Sequence, residues 1–194
     1  SLIHGMIPLG SCTMKLNAAT EMIPISWDTV NRIHPFAPKS QTKGYRDFLG
    51  KFEDILKCIT GFHTVCLAPN SGATGEYAGL CTIRKYQESI GQHMRDICLI
   101  PVSAHGTNPA SAVLSGMRVI PVKCIDGCID MQDLQKLVDE HQSRISALMV
   151  TYPSTFGIFE EDIKDVCRII HEAGAQIYMD GANMNAQVGL CRPG

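Results

Sequence analysis

The stretch that decides the fold is Gln176-Ile-Tyr-Met-Asp-Gly-Ala-Asn-Met-Asn185, an apolar strand-like run that ends in an aspartate followed by Gly, Ala and Asn. An ionised carboxylate at the mouth of a buried strand is costly unless something positive or hydrogen-bonding meets it. Asp180 could hold a metal ion, a sugar hydroxyl or a protonated ring nitrogen. The other motifs of the sequence are needed to choose among these three ligands.

Outward from this stretch, short β-rich runs alternate with amphipathic segments of helical length, which predicts an α/β fold with a mostly parallel sheet. Each run is continuously apolar, as in strands that are covered on both faces. The predicted strands are residues 64–68, 97–102, 118–122, 147–151 and 176–180.

Three segments between or before these strands carry helix signals. Asp130 is placed as an N-cap with Asp133 in the first turn, and residues 160–173 form an apolar face that stops at Gly174. Residues 45–60 form a third helix whose apolar stripe is interpreted as core packing.

Composition limits the possible functions. With 194 residues and 45% hydrophobic content the chain can fill one domain, and a net charge of −2 without a basic run excludes a nucleic-acid footprint or a polybasic membrane patch. Nine cysteines, an odd number, indicate reduced and buried thiols of an intracellular protein. A zinc site at Cys124 and Cys128 is rejected because no second Cys/His pair lies at zinc spacing, and no apolar run is long enough to span a bilayer.

Glycine and proline interrupt any periodicity over the first forty residues, which are predicted to be an irregular arm with at most short helices. The chain begins at serine and stops at Arg-Pro-Gly directly after a strand and loop. It is therefore expected to be a segment of a longer protein.

Ligands of open α/β sheets bind beyond the carboxyl ends of the strands, so the loops there are the candidate sites. The first is Pro69–Glu76, with small and hydroxyl-bearing residues opening a helix. Free N–H groups at a helix N-terminus suit a phosphate or carboxylate, although Asn70 or Ser71 could equally be no more than an N-cap. No Gly-Lys-Ser/Thr follows, so the loop is not a Walker motif.

The other loops offer an imidazole and hydroxyls. His105, between Ala and Gly, could lie flat against a ring or be an ordinary loop histidine. The hydroxyls of residues 151–157 could approach a ring oxygen or simply form turns. A metal at Asp180 would want further ligands nearby in sequence, whereas a protonated ring nitrogen needs one carboxylate, a pairing worth roughly 4 kcal/mol at about 4 Å. Together these loops point to pyridoxal phosphate.

Five motifs follow one another along the chain: GSCTMKLN (10–17), PNSGATGEYAGL (69–80), SAHGTNPASA (103–112), TYPSTFGIFEE (151–161) and YMDGANMNAQVGLCRPG (178–194). In this order they resemble the glycine decarboxylase P-protein of the glycine cleavage system. The resemblance extends over essentially all 194 residues. It implies an irregular arm over 1–44 and, over 45–194, an incomplete three-layer αβα large domain of the type I fold of pyridoxal-phosphate-dependent transferases.

The resemblance also implies an activity and partners. The expected reaction is decarboxylation of glycine with pyridoxal phosphate, the aminomethyl group passing to the lipoyl arm of H-protein. A homodimer is expected, without nucleic-acid, membrane or metal partners. The cysteine content favours a eukaryotic source and hence the mitochondrial matrix, the alternative being the bacterial cytoplasm.

Four of the implied site residues lie in the first two loops. Ser71, Gly72 and Ala73 are expected to hold the phosphate, and His105 is expected to stack on the ring as a catalytic residue.

The remaining implied ring contacts follow the last two strands. Thr155 is expected near the ring hydroxyl and Asp180 at the ring nitrogen. Ala182 is expected to pack on the opposite face, with Asn183 beside it.

Thr13 and Lys15 belong to a motif expected near the substrate. The Schiff-base lysine of the family lies in a Leu-His-Lys segment shortly after CRPG, and this chain ends at Gly194. Lys15 matches a different lysine of the family, so little or no turnover is expected of the chain by itself. Two alternatives are a non-catalytic protein of the same fold and another enzyme of that fold, such as a cysteine desulfurase or an aminotransferase.

Overall fold

The computed structural model describes residues 18–194. The chain divides into two units, Ser1–Ile55 and Leu56–Gly194. In residues 18–42 the helices are short. They are α1 (Ala19–Met22), a 3-10 helix (Ile23–Ser26), α2 (Asp28–Asn31) and a second 3-10 helix (Lys39–Gln41).

The remaining α-helices and β-strands begin at residue 43, and from α4 onward they largely alternate. They are α3 (Lys43–Thr60), α4 (Gly72–Ser89), β1 (Ile97–Pro101), α5 (Thr107–Leu114), β2 (Arg118–Val122), β3 (Cys124–Ile125), β4 (Cys128–Ile129), α6 (Met131–His141), β5 (Ile145–Thr151), α7 (Ile163–Glu172) and β6 (Gln176–Asp180). Short 3-10 helices follow α6 at Gln142–Arg144 and β6 at Met184–Ala186.

Four strands form one parallel sheet in the order β2-β1-β5-β6. The strands end in register, since Pro101 pairs with Val122 and Thr151 pairs with Asp180. The predicted parallel α/β sheet is therefore confirmed, and the loops that follow β1, β5 and β6 leave from one edge of it.

Helices cover both faces of the sheet. Successive residues of a strand point to opposite faces, so each strand contributes side chains to the packing on both sides. One cluster packs residues of α4 and α5 against the first face, and its members include Leu80, Ala112, Cys98 and Met149. The other cluster packs α6 and α7 against the second face, and its members include Leu134, Ile170, Leu99 and Leu148. This arrangement is the three-layer αβα architecture.

Local signals account for the helix ends. Asp130 caps α6 as predicted, its Oδ1 accepting from the backbone N–H of Gln132 at 3.0 Å and of Asp133 at 3.2 Å. α7 begins at Ile163, three residues later than predicted, and it ends before Gly174, whose φ of +78° suits glycine.

Two expectations about secondary structure are wrong, and one hairpin is absent from the prediction. Residues 64–68 are not a strand: they are exposed or half-buried, and no strand of the described part of the chain pairs with them. The stripe of α3 is not core, because α3 has no buried residue and Phe48 and Phe52 are exposed. The missed hairpin β3–β4 turns at Asp126 and Gly127, which have positive φ angles of 50° and 86°, as a tight two-residue turn requires.

Candidate functional site

The direction of α4 fixes which of its ends lies near the strand tips. Near its C-terminus, Gln87 Nε2 donates to the carbonyls of Ser146 at 3.5 Å and Gly174 at 3.3 Å, at the start of β5 and just before β6. In its middle, a Cβ added at Gly79 would lie 2.4 Å from Cε2 of Tyr178, so the helix backbone lies directly against that ring. α4 therefore runs antiparallel to β5 and β6, and its first turn lies toward the carboxyl edge of the sheet.

Ser71 is the N-cap of α4. Its Oγ accepts from the backbone N–H of Thr74 at 3.2 Å and lies 2.9 Å from Thr74 Oγ1. Ser71, Gly72 and Ala73 are exposed, and a Cβ added at Gly72 would have no atom within 4 Å. The capping role that the sequence allowed is thus present, and the remaining first-turn N–H groups face open space in which an anion would fit.

Asp180, at the tip of β6, is surrounded by neutral hydrogen-bond donors. Its Oδ2 accepts from Asn108 Nδ2 at 3.0 Å, its Oδ1 accepts from the Ala182 N–H at 3.0 Å, and Thr151 Oγ1 lies 3.4 Å from Oδ2. Between residues 18 and 194 no basic side chain forms an ion pair with it. These hydrogen bonds orient the carboxylate, and none of the three neutral partners neutralises its negative charge.

Asn108 is the site residue that the sequence analysis missed. It lies in the first turn of α5, is fully buried, and its Oδ1 lies 3.4 Å from Thr151 Oγ1. It thereby connects the helix after β1 to the tips of β5 and β6. The available signal was its position, because α5 begins directly after the His105 loop at the same edge of the sheet.

His105 is exposed, and its Nδ1 accepts from the backbone N–H of Thr107 at 3.1 Å. This is the local hydrogen bond of an ordinary loop histidine, and it leaves the ring faces free of that bond. Stacking on a cofactor ring stays a prediction.

The loop after β6 is tied to the loop after β5. Asn183 Nδ2 donates to the carbonyls of Pro153 at 3.0 Å and Ser154 at 3.3 Å, while Ala182 is exposed. Thr155 is half-buried in the loop after β5. These contacts bring Asn183 next to the two residues that precede Thr155 in the chain. Thr13 and Lys15 lie outside the described residues.

The cysteines of the described region belong to no cluster of potential metal ligands. In the part of the chain that the structure describes, no group of three or more His, Cys, Asp or Glu side chains could hold a metal ion. Register in the hairpin pairs Cys124 with Ile129 and Ile125 with Cys128, which puts the two thiols on opposite faces.

The cysteines of the described region are free thiols. The expectation that they are mostly buried is wrong, because Cys58 and Cys66 are exposed and Cys98 alone among them is fully buried. Burial raises the pKa of Cys98 to about 12, so this thiol stays protonated and inert.

None of the helices between residues 18 and 194 has both the length and the apolarity needed to cross a membrane.

The residues of this edge fit pyridoxal phosphate. A ligand with an anionic tail and a cationic ring needs open N–H donors and, some distance away, a carboxylate that is not neutralised. The first turn of α4 supplies the donors, and Asp180 with its neutral partners supplies the carboxylate.

No family model matches the chain. Curated relatives match over its whole length: it is 60% identical to the putative mitochondrial glycine dehydrogenase (decarboxylating) of Schizosaccharomyces pombe, covering 19% of that protein. It is 58% identical to the glycine dehydrogenase (decarboxylating) of Deinococcus radiodurans, covering 20% of it. The chain thus spans about a fifth of the length of these relatives, and the predicted resemblance to glycine decarboxylase is confirmed.

Solved structures share the fold. A glycine decarboxylase (P-protein) of the glycine cleavage system, in inhibitor-bound form, superposes with a TM-score of 0.68 at 14% identity, over 84% of this chain and 35% of that one. A PLP-bound C-S lyase from Staphylococcus hominis superposes with a TM-score of 0.53 at 16% identity, over 88% of this chain and 42% of that one. These likenesses confirm the predicted type I fold.

Proposed function

We propose that this chain is the cofactor-binding segment of a pyridoxal-phosphate-dependent glycine decarboxylase, which releases CO2 from glycine and passes the aminomethyl group to the lipoyl arm of H-protein. The observation that carries the proposal is Asp180, a strand-tip carboxylate held by Asn108, Thr151 and the Ala182 N–H and not paired with any basic side chain of residues 18–194. The 58–60% identity to glycine dehydrogenases (decarboxylating) supports the choice of substrate.

The chemistry that pyridoxal phosphate supplies when bound is an electron sink for the charge left on the substrate carbon when the carboxyl group departs. Asp180 holds the proton on the ring nitrogen that makes this sink effective, since an opposite charge at about 4 Å is worth roughly 4 kcal/mol. Asn108 and Thr151 orient the carboxylate, and because both are neutral they do not weaken its charge.

The other residues position the ligand. Ser71, Gly72 and Ala73, in the N-cap and first turn of α4, hold the phosphate through free N–H groups and the helix dipole. His105 stacks on the ring and is the proposed catalytic residue.

On the other side of the ring, Thr155 approaches the ring hydroxyl. Ala182 packs against the opposite ring face, and Asn183 keeps this loop in place through Pro153 and Ser154. Thr13 and Lys15 act near the substrate.

We further propose that residues 45–194 act as the cofactor-binding domain, with 1–44 as an arm. We expect a homodimer that works with lipoylated H-protein in the mitochondrial matrix of a eukaryote, or in the cytoplasm if the source is bacterial.

Two experiments test the proposal. Equilibrium dialysis of this chain with pyridoxal phosphate measures binding directly, with the Asp180→Asn variant as the matched control. For the activity, this sequence replaces the corresponding segment of the Deinococcus radiodurans relative, and exchange of the glycine carboxyl carbon with labelled bicarbonate is measured in the presence of lipoylated H-protein.

We expect binding by the chain and glycine-dependent exchange by the chimera at a rate near that of the relative. A folded chimera that exchanges no carbon from glycine, or that releases sulfide from cysteine instead, would contradict the proposal.

A further inference from the structure

A second carboxylate, Glu76 of α4, is buried without an identified counterpart. Glu76 is 7% exposed, and its Oε2 has no hydrogen-bond partner within residues 18–194. No basic side chain of that range forms an ion pair with it either. Burying a charge in this way costs several kcal/mol unless a cation or donor meets it, so a ligand that provides one would relieve the cost.

Glu76 lies on the sheet-facing side of α4, at the level of Asp180. It precedes Gly79, the point where α4 lies against Tyr178, by three residues, which is about 4.5 Å along the helix. Asp180 follows Tyr178 by two residues, about 6.6 Å along the strand, and its side chain points to the same face. Because α4 and β6 run in opposite directions, both displacements lead toward the carboxyl edge.

The phenol of Tyr178 lies within the electrostatic influence of both acids. Burial and, after it, the negative charges of Glu76 and Asp180 together raise the pKa of Tyr178 to about 12. Glu76 and Asp180 thus lie on the α4 side of the sheet, both displaced from Tyr178 toward the carboxyl edge.

We propose that Glu76 is a positioning residue for the cationic ring nitrogen of the cofactor, adding a second buried negative charge to that of Asp180. The inference rests on the proposed function, because it takes the ligand to be a protonated nitrogen heterocycle. Two like charges at one edge repel each other in the free chain, and a single cation between the helix and the strand tip lowers the energy of both.

The test compares two ligands that differ only at the ring nitrogen. Pyridoxal phosphate and its 1-deaza analogue, in which carbon replaces that nitrogen, are dialysed against the chain and its Glu76→Gln variant. The matched control is Glu88→Gln, which removes a carboxylate from the other end of the same helix. We expect E76Q to weaken pyridoxal phosphate binding about tenfold and to leave binding of the deaza analogue unchanged, while E88Q changes neither.

Thermal unfolding of the free chain supplies a second readout. Removing a buried, unmatched charge should raise the Tm of E76Q by about 2–4 °C, whereas a glutamate that only supports the fold would leave a less stable variant. If E76Q does not fold, Glu76→Asp keeps the charge, and retained selectivity for pyridoxal phosphate over the deaza analogue is then the expected result.

The outcomes separate the two proposals. Equal binding of pyridoxal phosphate by the chain and E76Q, equal losses for both ligands in E76Q, or a loss of selectivity between the two ligands in E76D would overturn the role of Glu76 and leave the proposed function standing. A chain that binds no pyridoxal phosphate would overturn the proposed function and this inference with it.

Discussion

The two edges of the parallel sheet treat charge in opposite ways. At the amino edge, Arg95 donates to three backbone carbonyls, and Arg144 pairs with Asp96 with an Nε–Oδ1 distance of 3.0 Å. At the carboxyl edge, Asp180 has neutral donors, and Glu76 Oε2 has no hydrogen-bond partner among residues 18–194. Charges at the amino edge are matched within the fold, and we propose that those at the carboxyl edge are matched by a ligand.

The largest effect is expected at the amino edge, from Arg95→Ala. Arg95 Nη1 donates to Gln142 O at 3.0 Å and to Ile145 O at 2.5 Å, and Nη2 donates to Ala173 O at 2.9 Å. Loss of these charged donors should lower the free energy of unfolding by about 3–4 kcal/mol, as measured by urea titration. Arg168→Ala, which removes exposed ion pairs, is the control and should cost less than about 1 kcal/mol.

The second effect is expected at the carboxyl edge, from Asp180→Asn. The isosteric change keeps the shape of the strand tip and removes its charge, so pyridoxal phosphate affinity should fall on the order of a hundredfold while urea unfolding changes little. Equilibrium dialysis measures the affinity. A D180N chain that is destabilised as much as R95A and binds pyridoxal phosphate as tightly as the unchanged chain would contradict the proposed difference between the two edges.

A smaller effect on both properties is expected from Asn108→Ala, because Asn108 is buried and also orients Asp180. Loss of its hydrogen bonds should cost about 2 kcal/mol of unfolding free energy and weaken pyridoxal phosphate binding less than D180N does. Asn31→Ala, at an exposed amide that donates to Ser26 O, is the matched control. Tighter binding by N108A would show that Asn108 competes with the ligand for Asp180.

The smallest effect is a pH dependence from Tyr178. Its pKa is about 12 in the folded chain against 10.0 for a free tyrosine, so folding favours the protonated phenol. The resulting stabilisation is present below pH 10 and is lost as the pH rises toward 12, by about 1 kcal/mol because the ring is only partly buried. Urea unfolding from pH 9 to 11 should show this slope together with that of the buried Cys98 thiol, whose pKa is also raised, and Tyr178→Phe should show a shallower slope. Equal slopes for the two proteins would contradict the raised pKa of the phenol.

The sequence predicted the sheet better than its surroundings. β1 and β5 are buried along their whole length because helices cover both of their faces, and the Asp130 cap followed from its side-chain chemistry. Residues 64–68 have a similar composition, yet a strand also needs a neighbour, which composition does not reveal. The Asp126-Gly127 pair is a turn signal, but the strands on either side of it have only two residues each, which is too short for a periodic pattern.

The same limit applies to the site and to α3. Asp180 stood out because a charge follows an apolar run, and Ser71 because it precedes a helix. Asn108 and Glu76 did not, since a neutral amide or an acid in a helical turn has no distinctive local pattern until the packing is known. The stripe of α3 and that of α7 are both amphipathic, but only α7 has buried residues, Val166 and Ile170.

Within the described residues β6 has a single strand neighbour, β5, and all five of its residues are half-buried. Edge strands with few buried contacts open locally at lower free energy than central ones. Backbone amides of β6 should therefore exchange with deuterium sooner than those of β1. Opening of the hydrogen bonds between β5 and β6 would also move Asp180 away from its position at the strand tip. A bound coenzyme that grips this tip would slow the exchange there first.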